Sequence, residues 1–304
     1  MSWRSLLIQK PAYLSVSKGN LCLKNNDDRP YMVAIEDLDC LILENPQITL
    51  TNALLSLLQI KDVAIIFCDQ KHMPCGVAYP FHQHSRQAEI AFLQAKLTKA
   101  FKKNLWQAII KRKILNQAEC LRPHDLKSAE RLRGLSERVI SGDPINIEAQ
   151  AARHYWRYLF KNFKRGGDDI INAALNYGYS IVRAAISRAL SAYGLIPCFG
   201  IHHHNMLNAY NLADDLLEVF RPMVDRKVLN MVDTLKNDGG EGLSIEHRQQ
   251  LVAILYELVL INDEQHSLID ACDKMVMHLV MCIRAKSPDK IAYPLFIDAC
   301  DDWG

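Results

Sequence analysis

The sequence predicts an α+β fold in which a small N-terminal β domain precedes a larger all-α domain. Short apolar runs with strand-like alternation and turn residues fill the first part of the chain. From about His82–Ser85 onward, the apolar residues recur with a helical period instead. Strands first and helices afterwards favour two domains, which we place at 1–80 and 81–304. The length of 304 residues and the 49% hydrophobic content suffice for two cores.

Within the β domain, each element has its own signal. A turn at Lys18-Gly19-Asn20 between alternating runs predicts a hairpin. Thr49 or Thr51 is expected to cap a short helix, and the apolar run at 63–69 predicts a buried strand. A further short strand is expected after Pro74.

The second domain is predicted to be helical almost to its end, with the clearest pattern over 88–115. The most apolar stretch, 251–261, is too short to span a bilayer and contains Glu257, so we expect a buried helix there and no membrane association. The N-terminus has no sustained apolar segment, and the nine cysteines include no CxxC pair. Both features favour a cytoplasmic protein with reduced thiols.

Charge is distributed unevenly, although the formal net charge is only +2. Residues 84–138 carry a net charge of +8, and residues 201–304 carry a net charge of −8. The chain can therefore accommodate both a polyanion and a cation, although two solvated helical faces would give the same distribution. The sequence contains no P-loop, no GxGxxG after a strand, no GxSxG and no HExxH, which argues against several other enzyme classes.

Two basic segments are candidates for contact with nucleic acid. One is a ridge of cations on the helix predicted over 88–115, which would contact phosphates without reading sequence. The other, 153–165, interleaves aromatic and basic residues that either stack bases and neutralise phosphates or pack half into the core. The candidate DNA-binding residues are Lys99, Lys102, Lys103, Lys111, Arg112, Lys113, Arg153, Arg157, Lys164 and Arg165.

Acidic residues in two other segments are candidates for a metal site. Asn146 is expected to cap a helix with Glu148 in its first turn, where a carboxylate would also complement the helix dipole. A second helix, beginning near Asn211, places Asp215 and Glu218 one turn apart beside an apolar face. Carboxylates at this spacing near an imidazole suit Mg²⁺ or Mn²⁺, unless they only complement a helix dipole.

Three consecutive histidines precede that second helix, and neutral imidazole is a common metal ligand. In an extended segment His203 faces away from His202 and His204, so at most one or two of them can share a site. A run of surface histidines is the alternative interpretation.

INIEAQAARHYW, LNYGYSIVRAAISRAL and GIHHHNMLNAYNLADDLLEVFRP occur in this order along the chain. They resemble the first acidic motif, the central helix with its Asn-Tyr-Gly signature, and the histidine and acid motif of one family. This family is the CRISPR-associated adaptation endonucleases, the integrases that insert new spacers in antiviral defence. The last segment is most similar to members that accompany type II CRISPR systems, and the resemblance extends over most of the chain.

The resemblance implies that the helical domain is catalytic and that three residues there bind one Mg²⁺ or Mn²⁺ ion: Glu148, His203 and Glu218. We choose His203 because the family pattern is Gly-x-x-His, counted here from Gly200. The histidine run departs from that pattern and leaves His202 and His204 as neighbours or substitutes. Asp215 occupies an accompanying acidic position and is a further candidate ligand.

The resemblance also implies a reaction and partners. Incoming double-stranded DNA would attack a phosphodiester at the boundary of a CRISPR repeat with its 3′-hydroxyl, and water in its place would give nuclease activity. The β domains would form a homodimer, and two such dimers would flank a dimer of a small ferredoxin-like adaptation protein in a heterohexamer. Further type II CRISPR proteins are expected to join this assembly. A stand-alone structure-specific nuclease and a non-catalytic DNA-binding module are the alternatives.

Overall fold

A computed structural model describes residues 4–25, 29–78, 85–237, 242–288 and 291–297. The chain divides into two compact units, a β unit (Met1–Ser85) and a helical unit (Arg86–Gly304). The predicted α+β fold class, with strands first and helices afterwards, is confirmed. No helix among the described residues is long and apolar enough to cross a membrane.

The described residues of the β unit form two four-stranded sheets and one α-helix. The first sheet has the strand order β1 (Arg4–Ile8), β5 (Leu38–Leu43), β7 (Ala64–Cys68) and β8 (Pro74–Ala78), of which only β8 is antiparallel to its neighbour. The second has the order β4 (Tyr31–Ala34), β3 (Asn20–Lys24), β2 (Tyr13–Ser17) and β6 (Thr49–Leu50). Helix α1 (Asn52–Ile60) contributes Leu54 and Leu58 to the core of this unit.

The sequence signals of the β unit have direct structural counterparts. Strands β2 and β3 pair as a hairpin, and both Lys18 and Gly19 at its turn have positive φ. Thr51, rather than Thr49, caps α1 by accepting a hydrogen bond from the backbone N–H of Leu54. The strands expected over 63–69 and after Pro74 correspond to β7 and β8.

The helical unit is built around two helices of 23 residues each, α3 (Lys99–Leu121) and α6 (Ile170–Ala192). The pattern over 88–115 forms two helices rather than one, because Thr98 accepts a hydrogen bond from the N–H of Phe101 and begins α3. The other helices are α2 (Gln87–Ala95), α4 (Leu126–Glu137), α5 (Ile147–Leu159), α7 (Asn211–Leu217), α8 (Arg221–Asn230), α9 (Val232–Asn237), α10 (Ile245–Val252) and α11 (Leu268–Ala285).

The prediction of one buried helix over 251–261 is wrong. Helix α10 ends at Val252, and the chain continues into a short 3₁₀ turn and then strand β9 (Leu258–Ile261). Strand β9 pairs antiparallel with β10 (Glu264–Ser267) and β11 (Leu295–Phe296). The turn between β9 and β10 is Asn262-Asp263, where both residues have positive φ. This turn chemistry selects a hairpin over continued helix.

Gly178 of the Asn-Tyr-Gly sequence allows α6 and α8 to approach closely. A β-carbon added at Gly178 would lie 2.5 Å from Cγ1 of Val224 in α8. A larger residue would therefore push α8 away from α6. Because α8 carries two polar residues of the site described below, this glycine helps to set their positions.

Candidate active site

Two glutamates from different helices converge on one buried lysine in the helical unit. The Nζ of Lys113 in α3 lies 2.5 Å from Oε1 of Glu148 in α5. The same Nζ lies 2.5 Å from Oε2 of Glu218, in the turn that follows α7. The side chains of Lys113 and Glu218 are 9% and 7% exposed, whereas that of Glu148 is 27% exposed. We call Glu148 and Glu218 the acid pair.

The charges of this cluster stabilise one another. Burial raises the pKa of the Glu218 carboxyl, but Lys113 and Arg221 outweigh burial and lower it to about 2. Burial likewise lowers the pKa of Lys113, and the acid pair reverses that effect and raises it. Arg221 donates from Nε to Oε1 of Glu218 at 2.9 Å. Glu218 is therefore held as a carboxylate between two cations.

The first turn of α5 fixes the backbone of Glu148. Asn146 has a left-handed backbone conformation and caps the helix by accepting from the N–H of Ala149 at 3.1 Å, as predicted. The buried carboxylate of Asp143 accepts from the N–H groups of Ile147 and Glu148, each at 2.9 Å. Since Asp143 already neutralises the first-turn amides, the Glu148 carboxylate is not needed there as a cap and points to Lys113 instead.

Asp215 orients the histidine segment. This fully buried carboxylate accepts hydrogen bonds from the N–H groups of Ile201, His202 and His203, at 2.5, 3.1 and 3.1 Å. Its Oδ1 also lies 2.7 Å from Nδ1 of His203. A carboxylate only accepts, so Nδ1 must carry the proton, and Nε2 of the neutral ring keeps its lone pair. This is the arrangement of a metal-binding histidine held by a carboxylate, and it favours an orienting role for Asp215 over direct ligation.

The three histidines have different surroundings. The ring of His202 stacks on Trp106 with a centroid distance of 4.1 Å. His204 is exposed and lines a surface cavity together with basic residues of α3. Only the His203 ring is held by a carboxylate among the contacts described. The hydrogen bond with Asp215 raises the pKa of His203, and the charge of Glu218 acts in the same direction. Of the acid pair, Glu218 therefore acts electrostatically on the His203 ring.

Gly200, the first residue of the Gly-x-x-His pattern, is required by close backbone contact. A β-carbon there would lie 2.2 Å from the carbonyl oxygen of His203 and 3.0 Å from Oδ2 of Asp215. We expect Gly200→Ala to displace the histidine segment and lower the free energy of unfolding by about 1–3 kcal/mol. Thermal unfolding and the chemical shifts of the His203 ring check this. Gly134→Ala, at an open position, is the matched control, and equal behaviour of the two variants would contradict the expectation.

The donor set fits a divalent cation, although it is not preassembled around one. Within the described ranges, no group of three or more His, Cys, Asp or Glu side chains stands ready to hold a metal ion. At this site the Lys113 ammonium lies between the acid pair and serves as their shared cation. Oε2 of Glu218 is buried and has no hydrogen bond besides this ion pair. Two carboxylates that share a cation beside an imidazole lone pair are suitable ligands for Mg²⁺ or Mn²⁺.

A cavity of about 180 Å³ adjoins the acid pair. On its wall, Asp225 of α8 accepts hydrogen bonds from Tyr155, at 2.9 Å, and from Tyr179. The guanidinium of Arg221 lies 4.5 Å from the centroid of the Tyr179 ring, and that of Arg165 lies 5.4 Å from it. Burial raises the pKa of Asp225 to about 7, against the opposing effect of the tyrosine hydroxyls and both arginines.

The raised pKa of Asp225 predicts a pH dependence of stability. The folded protein keeps this proton up to about pH 7, whereas an unfolded aspartate loses it near pH 4. The contribution of Asp225 is therefore fully present below about pH 4 and is lost as the pH rises through 7. We expect the melting temperature of wild type, relative to that of Asp225→Asn, to fall between pH 5 and pH 8. Parallel profiles of the two proteins would contradict this assignment.

The predicted basic ridge on α3 is only partly available to a ligand. Lys113 is enclosed by the acid pair, and burial lowers the pKa of Arg112. Lys102 donates to the carbonyl of Gly200 at 3.0 Å, so it supports the histidine segment. Lys111 is half-buried, whereas Lys99 and Lys103 are exposed.

The segment 153–165 forms a groove of about 790 Å³. Its aromatic side chains pack together, with the ring centroids of Trp156 and Phe163 5.4 Å apart and those of Phe160 and Phe163 5.0 Å apart. The basic residues stand around this cluster and line the groove: Arg153, Arg157, Lys161, Lys164 and Arg165. The segment thus consists of an aromatic cluster with a basic rim, and its contact with nucleic acid stays a prediction.

Several residues of the site were not singled out from the sequence as parts of it. Asp143, Arg221 and Asp225 have no distinctive local pattern that marks them. Lys113 does have one, since it follows Trp106, Ile109 and Ile110 on the buried face of α3. A lysine at such a core position requires a buried partner, and this signal pointed away from a phosphate contact.

Comparisons with known proteins identify the fold and the family of this chain. The chain has the fold of a casposase bound to integration product, with a TM-score of 0.74 at 18% identity, over 95% of this chain and 92% of that one. A chain of a Cas6-RT-Cas1–Cas2 complex matches with a TM-score of 0.71 at 19% identity. That match covers 95% of this chain, which spans only 36% of the longer one. The chain therefore shares the fold of these two chains.

The sequence comparisons are more specific. The profile of the family described as CRISPR associated protein Cas1 matches residues 6–241. The CRISPR-associated endonuclease Cas1 of Neisseria meningitidis serogroup C is 38% identical over 299 residues, which are 97% of this chain and 96% of that protein. The chain belongs to the Cas1 family, as its three motifs predict.

Proposed function

We propose that this protein is a divalent-metal-dependent DNA integrase and endonuclease of CRISPR adaptation, which inserts new spacer DNA by attack of a 3′-hydroxyl on a phosphodiester at the repeat boundary. The observation that carries the proposal is the acid pair of Glu148 and Glu218 beside a carboxylate-oriented His203, in a member of the Cas1 family. The relative from Neisseria meningitidis is named an endonuclease, which supports this proposal.

Glu148, His203 and Glu218 would hold the Mg²⁺ or Mn²⁺ ion. When bound, the ion would supply Lewis acidity toward a phosphodiester oxygen and neutralise developing charge. Asp215 keeps the proton on Nδ1 of His203, so that Nε2 of the neutral ring is left as the nitrogen that would bind the ion. Arg221 adds a fixed positive charge beside Glu218. Phosphoryl transfer needs mainly positioning and charge neutralisation, and these residues provide both.

The basic groove is proposed to lead DNA to this site. Trp156 and Arg165 line both the groove and the cavity beside the acid pair, so the two spaces share a wall. Exposed cations along the groove would neutralise backbone phosphates, and the aromatic cluster offers ring faces for unpaired bases. Of the predicted DNA contacts, Arg153, Arg157, Lys164 and Arg165 are therefore favoured over Arg112 and Lys113.

The partners are proposed from the family. A matching fold within a Cas6-RT-Cas1–Cas2 complex supports assembly with a Cas2-type protein, the small ferredoxin-like partner expected from the sequence. Homodimerisation through the β unit, the heterohexamer, and the association with further type II proteins stay predictions.

Strand transfer of a labelled DNA duplex into a repeat-bearing plasmid tests the proposal. The reaction would contain the partner protein and Mn²⁺, and it would compare wild type with His203→Ala. We expect joined product from wild type only. Degradation of the duplex without joining would favour a stand-alone nuclease. The absence of both reactions, with DNA still bound, would favour a non-catalytic binding module.

Removal of one groove cation is expected to change the salt dependence of DNA binding measurably. Arg157 is exposed and lines the groove. We expect Arg157→Gln to reduce the slope of log affinity against log salt by about 1 for DNA of any sequence. Filter binding at several salt concentrations measures this slope. Arg138→Gln, at the exposed end of α4, is the control and should leave the slope unchanged.

A further inference from the structure

We propose that Lys113 is a resident counter-ion that holds the acid pair together in the metal-free protein and that a divalent metal must displace it. This inference rests on the proposed metal site and adds a role for a residue outside the ligand set. It follows from where the Lys113 ammonium lies and from what surrounds it.

Lys113 occupies the position that a metal ion bound by the acid pair would need. Nζ of Lys113 lies 2.5 Å from an oxygen of each member of the acid pair, which is the place between both carboxylates. Mg²⁺ binds carboxylate oxygens at about 2.0–2.1 Å. An ion bound by the same two oxygens would therefore lie almost in contact with Nζ if the lysine did not move. Two cations at that separation repel strongly, so the ammonium and the metal exclude each other.

The positive charge of Lys113 also holds the two carboxylates of the acid pair together. Without metal, Lys113 and Arg221 balance Glu148 and Glu218, and the two carboxylates are drawn together rather than apart. Removal of Lys113 leaves Glu148 without a cation in its described contacts and leaves Glu218 with Arg221 alone. Lys113 thus allows the helical unit to fold with the acid pair already in place and without metal.

A cavity next to Lys113 can receive its side chain once a metal ion displaces it. Lys113 lines the cavity of about 180 Å³ beside the acid pair, together with Gln117 and Trp156. The lysine side chain is a flexible four-carbon stem, so Nζ can turn from the carboxylates into this space. There it would meet a DNA phosphate if one enters from the groove. Metal binding is then weak in the free protein and stronger when a phosphate receives the displaced ammonium.

The affinity for Mn²⁺, measured by electron paramagnetic resonance titration without DNA, tests the proposal. We expect Lys113→Met to bind Mn²⁺ about tenfold more tightly than wild type, because the competing cation is gone. The metal-free variant should melt at a lower temperature than wild type and gain more from added Mn²⁺. Lys274→Met, which removes a half-buried cation from α11, is the control and should keep the wild-type affinity.

A second measurement uses wild type alone, in case Lys113→Met does not fold. Acylation of lysines with acetic anhydride, read by mass spectrometry, reports the accessibility of each Nζ. We expect Mn²⁺ to increase the labelling of Lys113 about threefold or more, because its burial between carboxylates ends. Lys227, paired with Glu257 at 2.7 Å, is the internal control and should be unchanged.

The outcomes separate this inference from the proposed function. Mn²⁺ binding of equal or lower affinity in Lys113→Met, or unchanged labelling of Lys113, would overturn the counter-ion role and leave the metal site standing. Failure of both wild type and Lys113→Met to bind Mn²⁺ would overturn the metal site itself, and the counter-ion role with it.

Discussion

Glu218→Gln is expected to reduce metal-dependent strand transfer by about a thousandfold or more, because a neutral amide removes the buried negative charge of the proposed ligand set. Glutamine has nearly the same shape, and its side-chain oxygen can still accept from Arg221 or approach Lys113. Lys113 also keeps Glu148 as a partner. We therefore expect a variant that still folds but melts at a lower temperature, because Lys113 and Arg221 lose a buried carboxylate. The loss of strand transfer is to be measured below that temperature.

The measurement is single-turnover strand transfer at saturating Mn²⁺, together with thermal unfolding of the same samples. Glu137→Gln is the matched control, since Glu137 is exposed at the end of α4. Wild-type rates in Glu218→Gln would remove this residue from the site. A variant that is inactive only because it has unfolded would reveal itself in the melting curve.

Asp215→Asn has the second largest expected effect, and it acts on both stability and metal affinity. The carboxylate accepts four hydrogen bonds, three from backbone N–H groups and one from Nδ1 of His203. An asparagine amide group would turn a donor toward some of these donors and leave them unsatisfied. We expect the free energy of unfolding to fall by about 2–4 kcal/mol. The affinity for Mn²⁺ should also fall by about 10–100-fold, because His203 loses its orientation.

Urea unfolding gives the first quantity, and titration with Mn²⁺ at a temperature where the variant is folded gives the second. Asp214→Asn is the neighbouring control, since Asp214 pairs with Arg183 and none of the described hydrogen bonds joins it to His202, His203 or His204. Unchanged Mn²⁺ affinity in a folded Asp215→Asn protein would show that the carboxylate only supports the fold.

The sequence predicted the order of the two units and much of the local chemistry. Thr51, Asn146 and the Lys18-Gly19 turn carry their signals within three or four residues, so they can be recognised without the fold. Strand β9 was missed because its apolar run has no period that separates a short strand from a buried helix. Only the Asn262-Asp263 turn after it distinguishes the two, through positive φ at both residues.

The sequence identifies the proposed metal ligands, but it does not identify the contacts that hold these ligands in place. Glu148, His203 and Glu218 belong to motifs that resemble a known family, so their proximity could be expected. The use of Asp215 as an acceptor for three amides depends on how the segment before α7 folds back on that helix. The place of Lys113 on the buried face of α3 indicates that it needs a buried partner. Glu148 lies 35 positions away in sequence, so the local pattern does not show which residue that partner is.

The polar groups around the acid pair come from helices far apart in the chain, and this has a consequence during protein synthesis. Lys113 emerges from the ribosome long before Glu218, and the two meet only when the helices between them have packed. A growing or truncated chain that stops before α7 holds Glu148 and His203 but lacks Glu218 of the proposed ligand set. We therefore expect the proposed DNA cleavage only from chains that extend beyond Glu218.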